Sequence, residues 1–157
     1  MRKTFALLAA TTLAGLGALL PATSAQAESW QCDNKWHNAS SGYFYAYDFK
    51  NCGTQLGRAA GNDNDWGDLS GNFTNYDANQ AESVLHKGTS GLSVAVYDAE
   101  NYGRGVACIR KAEFYASDLS DNRFSTYGPG TGRALVANNI ESHQWVTDTY
   151  CASTFLS

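Results

Sequence analysis

The densest run of oxygen ligands in the chain is Asn62-Asp63-Asn64-Asp65-Trp66-Gly67-Asp68. Such a run invites comparison with an EF-hand loop, which needs ligand oxygens at positions 1, 3 and 5, glycine at 6 and glutamate at 12. No frame of this run meets that pattern, and counting from Asp63 the twelfth residue is Thr74. A solvated acidic turn is therefore expected. The three histidines are His37, His86 and His143, and none stands in a nucleophile motif such as G-x-S-x-G. Carboxylates are plentiful, but no spacing among them marks an acid and base pair. No catalytic residue is assigned, and the chain is not expected to be an enzyme.

The elements that position these groups come in two copies. Tyr47-Asp48-Phe49-Lys50-Asn51-Cys52-Gly53 returns 50 residues later as Tyr97-Asp98-Ala99-Glu100-Asn101-Tyr102-Gly103, and Asp68-Leu69-Ser70 returns as Asp118-Leu119-Ser120. A third pair, Ala78-Asn79-Gln80-Ala81-Glu82-Ser83 and Ala137-Asn138-Asn139-Ile140-Glu141-Ser142, recurs at an offset of 59. Three matches in the same order indicate a tandem duplication, in which each copy is one supersecondary unit that buries its apolar face on the other.

Arg2 and Lys3 precede an apolar run from Phe5 to Leu20, and Ala25-Gln26-Ala27 supplies a small-residue cleavage pattern. Residues 1–27 read as a signal peptide, with 28–157 as one secreted, extracellular domain. The run is shorter than the roughly 20 residues a spanning helix needs. Without Arg2 and Lys3 the 11 basic residues fall to 9 against 15 acidic ones, moving the net charge from −4 to −6. An anionic surface with singly scattered cations argues against nucleic acid and against anionic membranes as partners. A monomer is expected. All four cysteines, Cys32, Cys52, Cys108 and Cys151, lie beyond the leader, as two disulfides in an exported domain would require. Of the three pairings, Cys32 with Cys52 and Cys108 with Cys151 is favoured, because each would pin one end of the chain to its nearer repeat; the spacing leaves the other two open.

Tyr43 to Tyr47 and Leu92 to Tyr97 read as the first strands of the repeats, the latter alternating with period 2. Val106 to Ile109 makes a second strand, with a weaker counterpart near Thr54 to Arg58. Residues 28–42 read as a polar extension carrying Trp30 and Trp36. No sustained 3.6-residue apolar period is present, so long helices are not expected. Asn101 and Gly103 suit a reversal that needs positive φ, and Tyr97 and Tyr102 bracket it as an aromatic corner. The pattern predicts an all-β sandwich of two Greek-key repeats, repeat 1 over about 43–92 and repeat 2 over about 93–147.

The Tyr97 to Tyr102 spacing, the glycine after it and the Asn-x-x-x-Ser segment resemble the βγ-crystallin motif. Gly42-Tyr43-Phe44-Tyr45-Ala46, Asn62 to Trp66 after Gly61, and Asn139 to Trp145 most resemble secreted actinobacterial proteins of the peptidase inhibitor I36 family. The resemblance spans roughly residues 42–147. It departs where Arg104 takes the place of a corner glycine and where Cys52 takes that of the second aromatic. It implies a βγ-crystallin-like fold and inhibition of an extracellular peptidase, metallopeptidases among the candidates. Calcium-binding βγ-crystallins end their loop in two Asn/Asp, two variable residues, Ser/Thr and Ser. Both loops here carry alanine first and glutamate fifth, so the resemblance implies calcium ligands Asn79, Glu82, Asn138 and Glu141. The alternative is that each glutamate fills the site and accepts backbone N–H groups itself.

The repeats differ most after Phe124, where Ser125 to Arg133 is inserted, holding the one proline outside the leader. Tyr127, Gly128, Pro129, Gly130, Thr131 and Arg133 are the predicted protease contacts, since an exposed turn-rich loop on a braced sandwich suits recognition. The rival functions are a calcium-binding structural or cell-surface module and an antimicrobial, toxin-like exported protein.

Overall fold

A computed structural model describes residues 30–125, 134–151 and 154–156. The order is α1 (Trp30–Asn38), β1 (Phe44–Tyr47), β2 (Gln55–Ala59), β3 (Ser83–His86), β4 (Ser93–Tyr97), β5 (Val106–Ile109), β6 (Tyr115–Ala116), β7 (Ser142–Val146) and α2 (Asp148–Cys151). One antiparallel sheet runs β2-β1-β3-β6 and the other β5-β4-β7. The two repeats exchange segments: β6 of the second pairs with β3 of the first, while Asp63 of the first bridges His143 on β7.

Strand periodicity decides what each sheet buries. Phe44, Ala46 and Val84 from one sheet and Val94, Val96, Ala107 and Ile109 from the other face inward and form the shared core. Their neighbours Tyr45, Tyr47 and Leu85 point out of the first sheet, and Ala95, Tyr97 and Cys108 out of the second. These outward residues are also buried, because the chain ends fold back over them. Cys32–Cys52 ties α1 to the first outer face and Cys108–Cys151 ties α2 to the second. Each bridge contributes about 2 to 4 kcal/mol by restricting the unfolded chain.

The polar extension expected over residues 28–42 is a helix from Trp30 to Asn38. Nothing in that stretch breaks a helix, and Cys32 and Trp36, one turn apart, both turn toward the sheet. Trp36 Nε1 donates to His86 O at 3.1 Å, while the Lys87 ammonium lies 3.4 Å from the Trp36 ring centroid and donates to Trp36 O. Tertiary anchoring, not an apolar stripe, makes this helix.

At the centre, Trp66 stacks on Phe73 with centroids 4.0 Å apart, and Phe44 and His143 complete the cluster. Trp66 Nε1 donates to His143 Nδ1 at 2.9 Å, so the other ring nitrogen carries the proton and Nε2–H donates to Gly61 O at 2.9 Å. Burial holds the His143 pKa down to about 4. Trp66 is the structural counterpart of Leu119: Trp66 N–H donates to Glu141 O and Leu119 N–H to Glu82 O, both at 2.9 Å. This overturns the pairing of Asp68 with Asp118 suggested by the repeated Asp-Leu-Ser. Leu69 is 86% exposed and Leu119 fully buried. Asp65 is the true equivalent of Asp118, each accepting the N–H two residues on. Asp68 and Ser70 make the same local turn elsewhere.

The sign of the His143 effect follows from its neutrality. As pH falls below 6.5 the unfolded chain takes up a proton that the native ring refuses until about 4, so native stability falls through that window. The loss should approach on the order of 3 kcal/mol. Urea unfolding at pH 7, 5.5 and 4 should show a shallower pH slope for His143→Gln than for the parent, and equal slopes would contradict the assignment.

Candidate functional site

The two predicted ligand loops lie against one another at the junction of the repeats, each closed by the other. Asn79 N–H donates to Ile140 O and Asn138 N–H to Ala81 O, both at 2.8 Å. Both asparagines take positive φ, 61° and 58°, a region their short amide side chains tolerate. Asn79 Nδ2 donates to Glu141 Oε1 at 2.9 Å, and Asn138 Nδ2 donates to Glu82 Oε1 at 3.1 Å. Asn79, Glu82, Asn138 and Glu141 are thus brought together as two reciprocal pairs.

The serine after each glutamate fixes the facing corner. Ser83 Oγ donates to Phe49 O at 2.6 Å and accepts Cys52 N–H at 3.0 Å. Ser142 Oγ donates to Ala99 O at 2.6 Å and accepts Tyr102 N–H at 3.2 Å. These bonds hold Asn51, Cys52, Asn101 and Tyr102 at φ between 55° and 59°. Left-handed backbone costs roughly 1 to 2 kcal/mol per non-glycine residue, and the serine hydroxyls offset part of it. Arg104 adopts φ 60°, a glycine conformation reached without glycine. Tyr97 and Tyr102 pack with centroids 5.7 Å apart as the expected corner. In the first repeat Cys52 and its disulfide to Cys32 cover Tyr47 instead.

The halves differ in charge. Lys50 N–H donates to Glu82 Oε2 at 3.3 Å, and the Lys50 ammonium reaches Asp118 Oδ2 at 2.8 Å and Ser120 Oγ at 2.9 Å. The hydrogen bond to Asp118, with the nearby carboxylates, raises the Lys50 pKa. Partial burial works against ionising Asp118, yet the bonds from Lys50 and Ser120 leave its pKa lowered. Glu100 occupies the Lys50 position of the second repeat. The sequence comparison contains this swap of sign, but the partnership with Asp118 depends on the chain crossing.

As arranged, the first loop does not fit a calcium ion. Calcium needs six to eight converging oxygens, whereas here the Lys50 amide N–H and the Asn138 NH₂ point at the Glu82 carboxylate, and the Lys50 ammonium is taken by Asp118. Among the described residues no three carboxylate, histidine or cysteine groups come together to hold a metal. The acidic run is likewise a scaffold: Asp63 Oδ1 accepts Asp65 N–H, and Oδ2 accepts those of Asn72 and Phe73 at 3.2 Å.

The buried histidines have no free nitrogen for proton transfer. His86 Nδ1 accepts Gly88 N–H and Nε2–H donates to Leu92 O at 2.8 Å, with desolvation lowering its pKa. His143 is engaged at both nitrogens, and His37 is exposed beside Asp33 on α1. Tyr127, Gly128, Pro129, Gly130, Thr131 and Arg133 lie outside the described residues. The ends of that insertion are described: Phe124 N–H donates to Ala134 O at 3.1 Å, Arg123 bridges Leu135, and Ser125 exchanges bonds with Val106.

Compared by sequence, the chain matches no protein-family model and no curated protein. Its structure is similar to a solved structure described as "Evolution of the eye lens beta-gamma-crystallin domain fold", at 14% identity, TM-score 0.50, covering 69% of this chain and 89% of that one. The fold is therefore an all-β sandwich of the βγ-crystallin type. Two disulfides join its described parts, and no helix among the described residues is long and apolar enough to cross a membrane.

The reciprocal pairs predict energetic coupling across the repeat junction. Asn79→Ala and Glu141→Ala should each lower stability, and their double-mutant cycle should give about 1 kcal/mol of coupling. Coupling near zero would show that the link does not hold the repeats together.

Proposed function

We propose that the protein is an exported, non-catalytic recognition module that inhibits an extracellular peptidase. The observation that carries this reading is the closed base of the Ser125 to Arg133 insertion. Its flanks are locked to one another and to β5 by Phe124 N–H···Ala134 O, the Arg123 and Leu135 bridge and the Ser125 bonds. An inhibitor must present a segment to an active-site cleft at little ordering cost, and a base fixed by hydrogen bonds lowers that cost. Cys108–Cys151 braces the same repeat. The resemblance of Gly42 to Ala46 and Asn139 to Trp145 to peptidase inhibitors points the same way, with metallopeptidases among the candidates.

One observation favours a calcium-stabilised structural module instead. With Glu100 in place of Lys50, the second loop carries a carboxylate where the first carries an ammonium. Binding there would require the Asn79 amide to turn its oxygen inward. Millimolar calcium would then raise the melting temperature by mass action, and Glu141→Ala would abolish the rise.

Inhibition is tested by titrating the mature protein against secreted metallo, serine and cysteine peptidases. One class should be inhibited in proportion to added protein. Replacing residues 126–133 with a short Gly-Asn turn, keeping Ser125 and its bonds to Val106, should leave the melting temperature nearly unchanged, since closure entropy varies slowly with loop length. The same change should weaken inhibition about tenfold or more, some 1.4 kcal/mol. No inhibition in any class, or a shortened variant as potent as the parent, would refute this role for the insertion.

A further inference from the structure

We propose that the outer face of the first sheet carries a binding site for a carboxylate, in a shallow cavity of about 210 Å³ between α1 and the β1–β2 pair. The residues lining it include none of the insertion, and the site does not rest on the inhibitor reading. Register builds its floor: Tyr45 lies opposite Arg58 and Tyr47 opposite Gln55, and cross-strand partners share a face. Lys35 and Asn38, one turn apart on α1, overhang it. Every charged group lining the cavity is a cation, in a chain whose acids outnumber its bases 15 to 11.

Two features leave donors available to a ligand in this cavity. Tyr47 is only 2% exposed, yet among the described residues its hydroxyl meets no hydrogen-bond acceptor and opens on the cavity. Its counterpart Tyr97 has Tyr150 and Gln144. Burial keeps the Tyr47 phenol protonated, so it remains a donor across the ordinary pH range. Lys35 and Arg58 also form no ion pair among the described residues, and the Arg58 guanidinium is held 4.7 Å from the Tyr43 ring centroid.

The donor set selects the ligand class. A planar guanidinium with a phenol and an amide matches a planar, singly charged carboxylate. Phosphate sites converge backbone N–H groups at a helix N-terminus or nest, whereas this cavity meets the C-terminal end of α1. Two carbonyls of that end are engaged: Trp36 O accepts Lys87 Nζ and Ala39 N–H, and Asn34 O accepts Asn38 Nδ2. The carboxylate could belong to a free organic acid, a peptide C-terminus or an acidic side chain.

The test is titration of the mature protein, followed by amide NMR shifts, with succinate, acetyl-glycine, acetyl-glutamate amide and inorganic phosphate. Saturable binding of at least one carboxylate, on the order of millimolar, should move the signals of Tyr45, Tyr47 and Arg58, and the best of the three identifies the source. Arg58→Gln should weaken it about tenfold and Tyr47→Phe several-fold, while Arg110→Gln on the far repeat should change nothing. Arg58→Gln and Lys35→Gln alter exposed side chains, so they decide the matter if Tyr47→Phe does not fold. The proposal is overturned if no carboxylate saturates, if phosphate binds as tightly, or if Arg58→Gln and Lys35→Gln bind as the parent does.

Discussion

The exchange of backbone between the two repeats is the constraint on which everything else depends. Asp63 and His143 exchange N–H···O bonds in both directions, and β6 lends Tyr115 and Ala116 to β3. A repeat by itself would leave the edge of its last strand unpaired, and a buried unpaired amide or carbonyl costs roughly 1 to 3 kcal/mol. Each sheet is therefore completed only by the other repeat. The aromatic centre depends on the same crossing, since Trp66 arrives from the first repeat and His143 from the second.

That crossing also explains the paired loops. Bringing Ala81 against Asn138 and Ile140 against Asn79 sets each asparagine amide over the opposite glutamate. Each glutamate side chain is long enough to meet the opposite asparagine amide across the junction. Lys50 adds an ion pair to Asp118 beside the first closure, and Glu100 at the equivalent position of the second brings the opposite charge. Duplication has produced two like frameworks with unlike electrostatics.

The termini finish the sandwich. Both outer faces are apolar at alternate strand positions, and each is roofed by a short helix that would not persist alone in water. The disulfides hold these helices where Tyr47 and Tyr97 need cover. The two roofs differ in fit: α2 gives Tyr97 a hydroxyl partner in Tyr150, while α1 leaves a donor-lined gap beside Tyr47.

The sequence by itself determined the duplication, the strands at Tyr43 to Tyr47, Leu92 to Tyr97 and Val106 to Ile109, the positive-φ reversals and the aromatic corner. These are local: period-2 burial, turn chemistry and spacing along the chain encode them directly. The pairing of Asn79 with Glu141 was legible only as four residues of ligand type, because nothing local says which copy each side chain will meet. Asp68 misled for the same reason, since Asp-x-Ser turns look alike whether the leucine between them is buried or exposed. The helix at Trp30, the partnership of Lys50 with Asp118, the tautomer of His143 and the cavity beside Tyr47 were decided by tertiary structure alone. Each depends on groups distant in sequence meeting at hydrogen-bond range, a relation that local composition does not carry.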